Sequence, residues 1–144
     1  MKFFLAAIFF TNCLASCFAL ADNASVIGDW KLTGFVYQDK PVPPFNPKLN
    51  LHFYFFENGT NRLFWNREDE TGFCERFANY EITPGQIQQT VFAVNPNNRA
   101  DCAVDKDMQI GPATVNKMDI EEKRLLLRMQ LGEEELVYIL TKVE

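Results

Sequence analysis

The stretch LHFYFFENGTNRLFW, residues 51–65, constrains the fold most, because it places two aromatic-rich strand candidates on either side of Asn58-Gly59. Asn-Gly favours a tight hairpin, since both residues tolerate the positive φ angles of a type I′ turn. An exposed hairpin would alternate apolar and polar side chains, but here aromatic residues fall on both faces of the first strand. One face needs a closed interior, and the other needs solvent, a crossing loop or a partner.

The same two-residue period recurs along most of the chain, with turn residues between its segments. A proline-rich connection at 38–48 and a polar stretch at 95–107 are the longest gaps, and no segment has a convincing helical period. Short strands joined by short turns predict an all-β antiparallel meander, either a barrel or a sandwich. The strand candidates are 27–37, 49–56, 61–66, 73–82, 86–94, 108–120, 124–131 and 136–143.

Residues 1–21 have the pattern of a secretory signal peptide. Lys2 supplies a positive start, residues 3–10 (FFLAAIFF) are too short to span a bilayer, and Ala19-Leu20-Ala21 offers small residues for cleavage. This interpretation predicts an exported domain at 22–144, periplasmic or secreted. Alternatively, residues 14–17 (LASC) form a lipobox, and Cys17 becomes a lipid anchor at the membrane.

Of the four cysteines, Cys74 and Cys102 follow the predicted signal peptide. Two cysteines in an exported chain predict a structural disulfide, because the compartment is oxidising. The formal net charge is −5 and no basic cluster occurs, so the composition gives no electrostatic basis for binding nucleic acid.

Residues 22–144 contain few side chains of the types that commonly act in catalysis. Ser25 and His52 are the only serine and histidine in residues 22–144, and a Ser-His-Asp triad would need both in one rigid site. Zinc needs three or four Cys or His ligands, and the acidic stretch 101–111 lacks the EF-hand spacing for calcium. The sequence therefore predicts no enzyme, no metal site and no cofactor.

Gly28-Asp29-Trp30, at the start of the first strand candidate, resembles the Gly-x-Trp signature that opens the lipocalins and the wider calycin group. The resemblance implies an up-and-down barrel of about eight strands, with the tryptophan packed across one end and a cavity for a small apolar or amphipathic ligand. It also implies a basic residue over the tryptophan, which only Lys142 can supply. The family's second motif and its C-terminal helix have no match in this chain. A small bacterial lipocalin-like domain is the closest fit.

Alternation along 73–82 places Arg76 and Tyr80 on one face. If that face is interior, the two side chains would meet the head group of an amphipathic carboxylate. If not, Arg76 faces solvent or pairs with a neighbouring acid. The predicted ligand-binding residues are Trp30, Phe53, Phe55, Trp65, Arg76, Tyr80, Leu127 and Tyr138.

A second interpretation is an envelope protein-interaction module, either a lipoprotein or an enzyme inhibitor, whose barrel is filled by its own side chains. Tyr54, Phe56 and Phe64 would then form an exposed patch for a protein partner. A cavity inside the barrel would favour the ligand carrier, and a packed barrel would favour the interaction module.

Overall fold

The computed structural model describes residues 26–131 and 133–144, so the predicted signal peptide at 1–21 and the alternative anchor at Cys17 lie outside the described residues. Within these described residues, two short 3-10 helices, Ala100–Val104 and Lys106–Met108, interrupt an otherwise all-β structure. None of the helices among the described residues has the length and apolar character to cross a membrane. The strands are β1 (Gly28–Tyr37), β2 (Lys40–Val42), β3 (Leu49–Phe55), β4 (Thr60–Arg67), β5 (Phe73–Thr83), β6 (Gln86–Val94), β7 (Ala113–Glu121), β8 (Arg124–Leu131) and β9 (Glu134–Lys142).

The strands form one antiparallel sheet in the order β2-β1-β3-β4-β5-β6-β7-β8-β9. β9 also pairs with β1, from Trp30 with Lys142 to Tyr37 with Leu136, and this contact closes eight of the strands into a barrel. β2 is an extra strand that pairs only with the end of β1. Closure removes the exposed strand edges that would invite aggregation. The predicted antiparallel barrel is confirmed, and the sandwich is excluded.

Two local predictions need correction. The strand predicted at 108–120 starts only at Ala113, since Met108 ends the second 3-10 helix and residues 109–112 belong to neither element. The turn between β3 and β4 is not type I′, because Gly59 has a φ of +76° but Asn58 has no positive φ. The Gly59 amide donates to the Phe56 carbonyl at 3.3 Å, and the Asn58 side chain accepts from the Thr60 amide at 3.0 Å. Asn58 therefore stabilises the hairpin through its side chain.

A β-bulge in β1 changes which residues face the interior. Trp30 and Leu32 are buried, and the register shifts between Leu32 and Gly34, so that Phe35 is also buried. Strict alternation from Trp30 would have turned Phe35 outward. The bulge adds an aromatic side chain to the barrel interior that the sequence pattern does not predict.

Trp30 closes one end of the barrel. Its indole is fully buried and donates to the Val26 carbonyl at 2.6 Å. The Lys142 Nζ atom lies 5.3 Å from the centre of the ring, in the position that the resemblance assigns to a basic residue. Gly28 next to it has a φ of +130°, and an added Cβ would come within 3.0 Å of the Lys142 chain. A glycine is therefore required where this end is sealed.

The outer face of β3 and β4 answers the question that the aromatic hairpin raised. The Tyr54 ring stacks on His52, with 5.6 Å between centroids. The Arg62 guanidinium lies 4.9 Å from the Tyr54 ring and 5.0 Å from the Phe64 ring, and Glu75 accepts a hydrogen bond from it. Tyr54 and Phe64 are thus half-buried beneath a charged side chain.

The predicted disulfide is confirmed. Cys74 in β5 is bonded to Cys102 in the first 3-10 helix, with 5.7 Å between the Cα atoms. Both cysteines are buried and pack with Met108, while Trp65 is partly buried against them. The bond therefore ties the connection between β6 and β7 to the wall of the barrel.

Candidate binding site

The barrel interior is largely filled by side chains. Phe53 and Phe55 stack with 5.9 Å between ring centres, and leucines from β8 and β9 complete the core around them. The buried members are Val26, Trp30, Leu32, Phe35, Leu51, Phe53, Phe55, Leu63, Ile87, Met118, Leu125, Leu127, Leu136 and Leu140. Any ligand space is therefore confined to an end of the barrel.

A cavity of about 200 Å³ lies at the end opposite Trp30, and we call it the mouth cavity. β3 and β4 provide an apolar wall that includes Phe53 and Trp65, and β9 provides Tyr138. The connection between β6 and β7, which the disulfide holds, adds Asp105 and Asp107. Aromatic and aliphatic walls with a few polar groups are typical of small-molecule sites.

The predicted ligand-binding residues separate into two groups. Phe53, Trp65 and Tyr138 line the mouth cavity. Trp30, Phe55 and Leu127 lie in the packed interior instead. The Tyr80 ring packs edge-on against Phe55 at 5.2 Å, and its hydroxyl donates to the Phe56 carbonyl at 3.0 Å, near the turn at the Trp30 end. The ligand contacts of both groups remain predictions.

Arg76 points into the barrel, which is one of the two directions that alternation left open, and only 2% of it is exposed. Its guanidinium donates to the Asn61 side chain, to Gln89 Oε1 at 3.0 Å and to the Asp107 carbonyl at 3.2 Å. It also lies 5.6 Å from the centre of the Phe53 ring. Burial lowers the pKa of Arg76 to about 10, with the charges of Asp107 and then Asp105 acting against that shift. Arg76 thus contacts Phe53 and the Asp107 carbonyl, which belong to residues that line the mouth cavity, without lining it itself.

Asn61 and Gln89 are buried hydrogen-bond partners of Arg76 that the sequence analysis missed. Both are buried, and Asn61 Nδ2 donates to Gln89 Oε1 at 2.9 Å. Each stands two positions from a buried apolar residue on its own strand, Leu63 or Ile87. Period-two counting would have assigned both amides to the interior beside Arg76.

Asp105 and Asp107 differ in how their carboxylates are held. Asp105 caps the second 3-10 helix, accepting from the Asp107 amide at 2.9 Å. Within 26–131 and 133–144, no donor hydrogen-bonds the Asp107 carboxylate, which lines the mouth cavity. Burial raises the pKa of Asp107, and the charge of Asp105 raises it further, while Arg76 opposes the shift. An ionised Asp107 is therefore a source of instability in the folded protein.

We expect Asp107→Asn to raise the melting temperature at neutral pH. The pKa of Asp107 is raised in the folded state, so the protonated carboxyl group is the form that favours folding. The stability it contributes is therefore fully present below the ordinary carboxyl pKa and is lost as pH rises through the raised value. Thermal melts from pH 3 to pH 8 should show a gap between variant and wild type that opens with increasing pH. Asp119→Asn, at an exposed position on β7, is the matched control and should change little. A variant less stable than the wild type at pH 7 would contradict this prediction.

A larger hollow of about 600 Å³ lies outside the barrel, beside Val94, Met108 and Ile110. Arg99 borders it, but its guanidinium is held by Glu70 and Asp101. The hollow thus presents no unpaired charge to orient a small ligand.

Metal binding has one geometric candidate among the described residues, Asp101 with Cys74 and Cys102. Both sulfurs are in the disulfide, and a metal would need free thiolates. Asp101 is also paired with Arg99 at 2.7 Å. These groups fit a structural role and do not fit a metal centre.

Comparisons with known proteins agree with the barrel architecture. A lipocalin-like protein from Bacteroides uniformis has a TM-score of 0.57 and 18% identity, over 83% of this chain and 99% of that one. An uncharacterized protein from Bacteroides eggerthii has a TM-score of 0.51 and 14% identity, over 81% and 98% of the two chains. No protein-family model and no curated protein matches the sequence significantly. At such identities, the likeness concerns the fold alone.

Proposed function

Because this chain has a lipocalin-like fold, we propose that it is an exported binding protein that holds a small apolar or amphipathic molecule in its mouth cavity. The observation that carries the proposal is the cavity itself, an open space at the end of an otherwise filled barrel, walled by Phe53, Trp65 and Tyr138. Its volume of about 200 Å³ is below the roughly 300–1,000 Å³ of sites for drug-sized ligands. The ligand is a small molecule, or one end of a longer one.

Binding would come from burial of apolar surface and a few polar contacts, with no covalent chemistry. Apolar contact contributes roughly 25 cal/mol per Å² before the costs of association are subtracted. The single histidine, His52, is bonded to Asp29 at 2.7 Å and to Asn50 at 3.1 Å on the outer face of β3, away from the cavity. We therefore propose no catalytic activity.

Export is supported by the Cys74–Cys102 disulfide, because such bonds persist in oxidising compartments. The signal-peptide pattern at 1–21 points the same way. The mass of the intact protein from its host decides between cleavage after Ala21 and lipidation at Cys17.

We expect Leu49→Phe to weaken ligand binding at least about tenfold, since misfit of a few atoms in an apolar site costs this much. Leu49 is half-buried on the wall of the cavity, so a larger ring there enters the space without disturbing the core. Trp65 provides the fluorescence signal for titrations with 2-phenylethanol or toluene. Val115→Phe, at an exposed position on β7, is the control and should bind as the wild type does. If neither probe binds at millimolar concentration, the proposed function fails.

The protein-interaction module is the second candidate, and the packed interior favours it. Its contact surface would include the outer hollow, where Val94 is 37% exposed and Ile110 is 57% exposed. The Tyr54 and Phe64 part of the predicted patch is half-buried, while Phe56 is exposed. Failure of all small probes would favour this candidate over the carrier.

A further inference from the structure

We propose that the mouth cavity selects an organic cation, namely a small amine or quaternary ammonium that carries an apolar group. This inference rests on the proposed function and adds the charge of the ligand to it. It depends on three features of the cavity: an excess of negative charge, aromatic rings within reach of an ammonium, and a buried arginine whose guanidinium is directed at protein acceptors.

The negative charge comes from the two carboxylates that line the cavity, Asp105 and Asp107. Arg76 donates a hydrogen bond to the Asp107 carbonyl and carries one positive charge. Its guanidinium forms no ion pair within 4.0 Å among the described residues. Arg67 also lines the cavity, but its guanidinium forms a salt bridge with the Glu70 carboxylate at 2.9 Å. Lys106 is exposed and does not line the cavity. The charges of Asp105, Asp107 and Arg76 together leave one net negative charge. A monovalent cation in the cavity would neutralise it.

The second feature is the set of aromatic rings that line the cavity. A cation within about 6 Å of a ring centre is attracted by the negative face of the ring, most strongly by tryptophan. Phe53 already has the Arg76 guanidinium at 5.6 Å, which leaves Trp65 and Tyr138 for a ligand. Burial raises the pKa of Tyr138 to about 12, so its hydroxyl stays neutral and adds no competing charge.

An anionic head group fits the same cavity poorly. It would lie among lining residues that include the acids Asp105 and Asp107. The buried guanidinium of Arg76, 5.6 Å from the centre of the Phe53 ring, is directed at Asn61, Gln89 and the Asp107 carbonyl. The proposed head group thus has the opposite sign to the carboxylate that the sequence predicted.

Three probes with the same ring and nearly the same chain test the inference: 3-phenylpropylamine, 3-phenylpropanol and 3-phenylpropionate. Titrated into the full-length protein at pH 7, the amine should bind at least about tenfold more tightly than the alcohol, and the carboxylate most weakly. Equal binding of amine and alcohol overturns the cation inference and leaves the proposed function standing. Binding of none of the three overturns both.

Variants separate a charge contact from a structural effect. Asp107→Asn should reduce the affinity for the amine about tenfold and leave that for the alcohol unchanged. Asp105→Asn retains an oxygen that caps the 3-10 helix and should act in the same direction. Asp119→Asn should change neither affinity. An equal loss for all three probes in Asp107→Asn would indicate a distorted cavity and overturn the inference, as would tightest binding of the carboxylate.

Discussion

Arg76→Met should lower the free energy of unfolding by about 3 kcal/mol, because it removes the donor from one buried and one partly buried acceptor, and an unsatisfied buried acceptor costs about 1–3 kcal/mol. Those acceptors are the Asn61 side-chain oxygen and the Asp107 carbonyl. Gln89 is less affected, since Asn61 Nδ2 also donates to its oxygen. Urea denaturation measures the loss. Arg128→Met, whose guanidinium pairs with acids on the outer surface, is the control and should cost less than about 1 kcal/mol.

A triple variant tests the physical cause. Combining Arg76→Met with Asn61→Leu and Gln89→Met removes the buried acceptors of both side chains together with their donor. Well-packed apolar replacement of buried charged clusters is often neutral or stabilising. We therefore expect the triple variant to recover much of the stability that the single variant loses. The assignment of Arg76 to an internal network would be contradicted if the single variant were as stable as the wild type. It would also be contradicted if the triple variant were much less stable than the single variant.

The double variant Cys74→Ser with Cys102→Ser should lose about 3–4 kcal/mol of unfolding free energy, the value that chain entropy gives for a closed loop of this length. The sequence separation of the two cysteines is 28 residues. Denaturation of the variant, and of the wild type after reduction, should give similar midpoints. A fall below 1 kcal/mol in both would show that the bond contributes little.

The same double variant should also weaken binding of 3-phenylpropylamine more than binding of 3-phenylpropanol. Cys102 is three residues before Asp105, and the disulfide holds this connection against β5. Without it, Asp105 and Asp107 lose a fixed position over the cavity, while Phe53 and Trp65 remain on the barrel wall. Equal weakening for the two probes would show that the disulfide acts on the whole barrel.

Local patterns were sufficient for the class of fold and for several individual contacts. Period-two alternation located strands at nearly all of the observed positions, because alternation of the side chains follows directly from strand geometry. The disulfide followed from counting, since only Cys74 and Cys102 remain after residue 21. The position of Lys142 over Trp30 followed from the Gly-x-Trp resemblance.

Alternation did not predict the direction of side chains beyond a β-bulge, nor the path of segments that lack a repeating pattern. The bulge beyond Leu32 turns Phe35 inward, and no residue type at that position signals it. The segment 95–112 has no repeat from which to infer its path, so the approach of Asp105 and Asp107 to the mouth could not be predicted.

The all-β fold and the pairing of Cys74 with Cys102 could be predicted from residue patterns, because they depend on the local period or on a count of residue types. Alternation placed Arg76 and Tyr80 on one face but left open whether that face is interior. The folded structure was needed to show that β9 pairs with β1, that Arg76 hydrogen-bonds Asn61 and Gln89, and that two acids line the cavity. These features join residues far apart in sequence, and their energies depend on burial and distance, which no local pattern contains. The sign of charge at the mouth is therefore a property of the folded barrel.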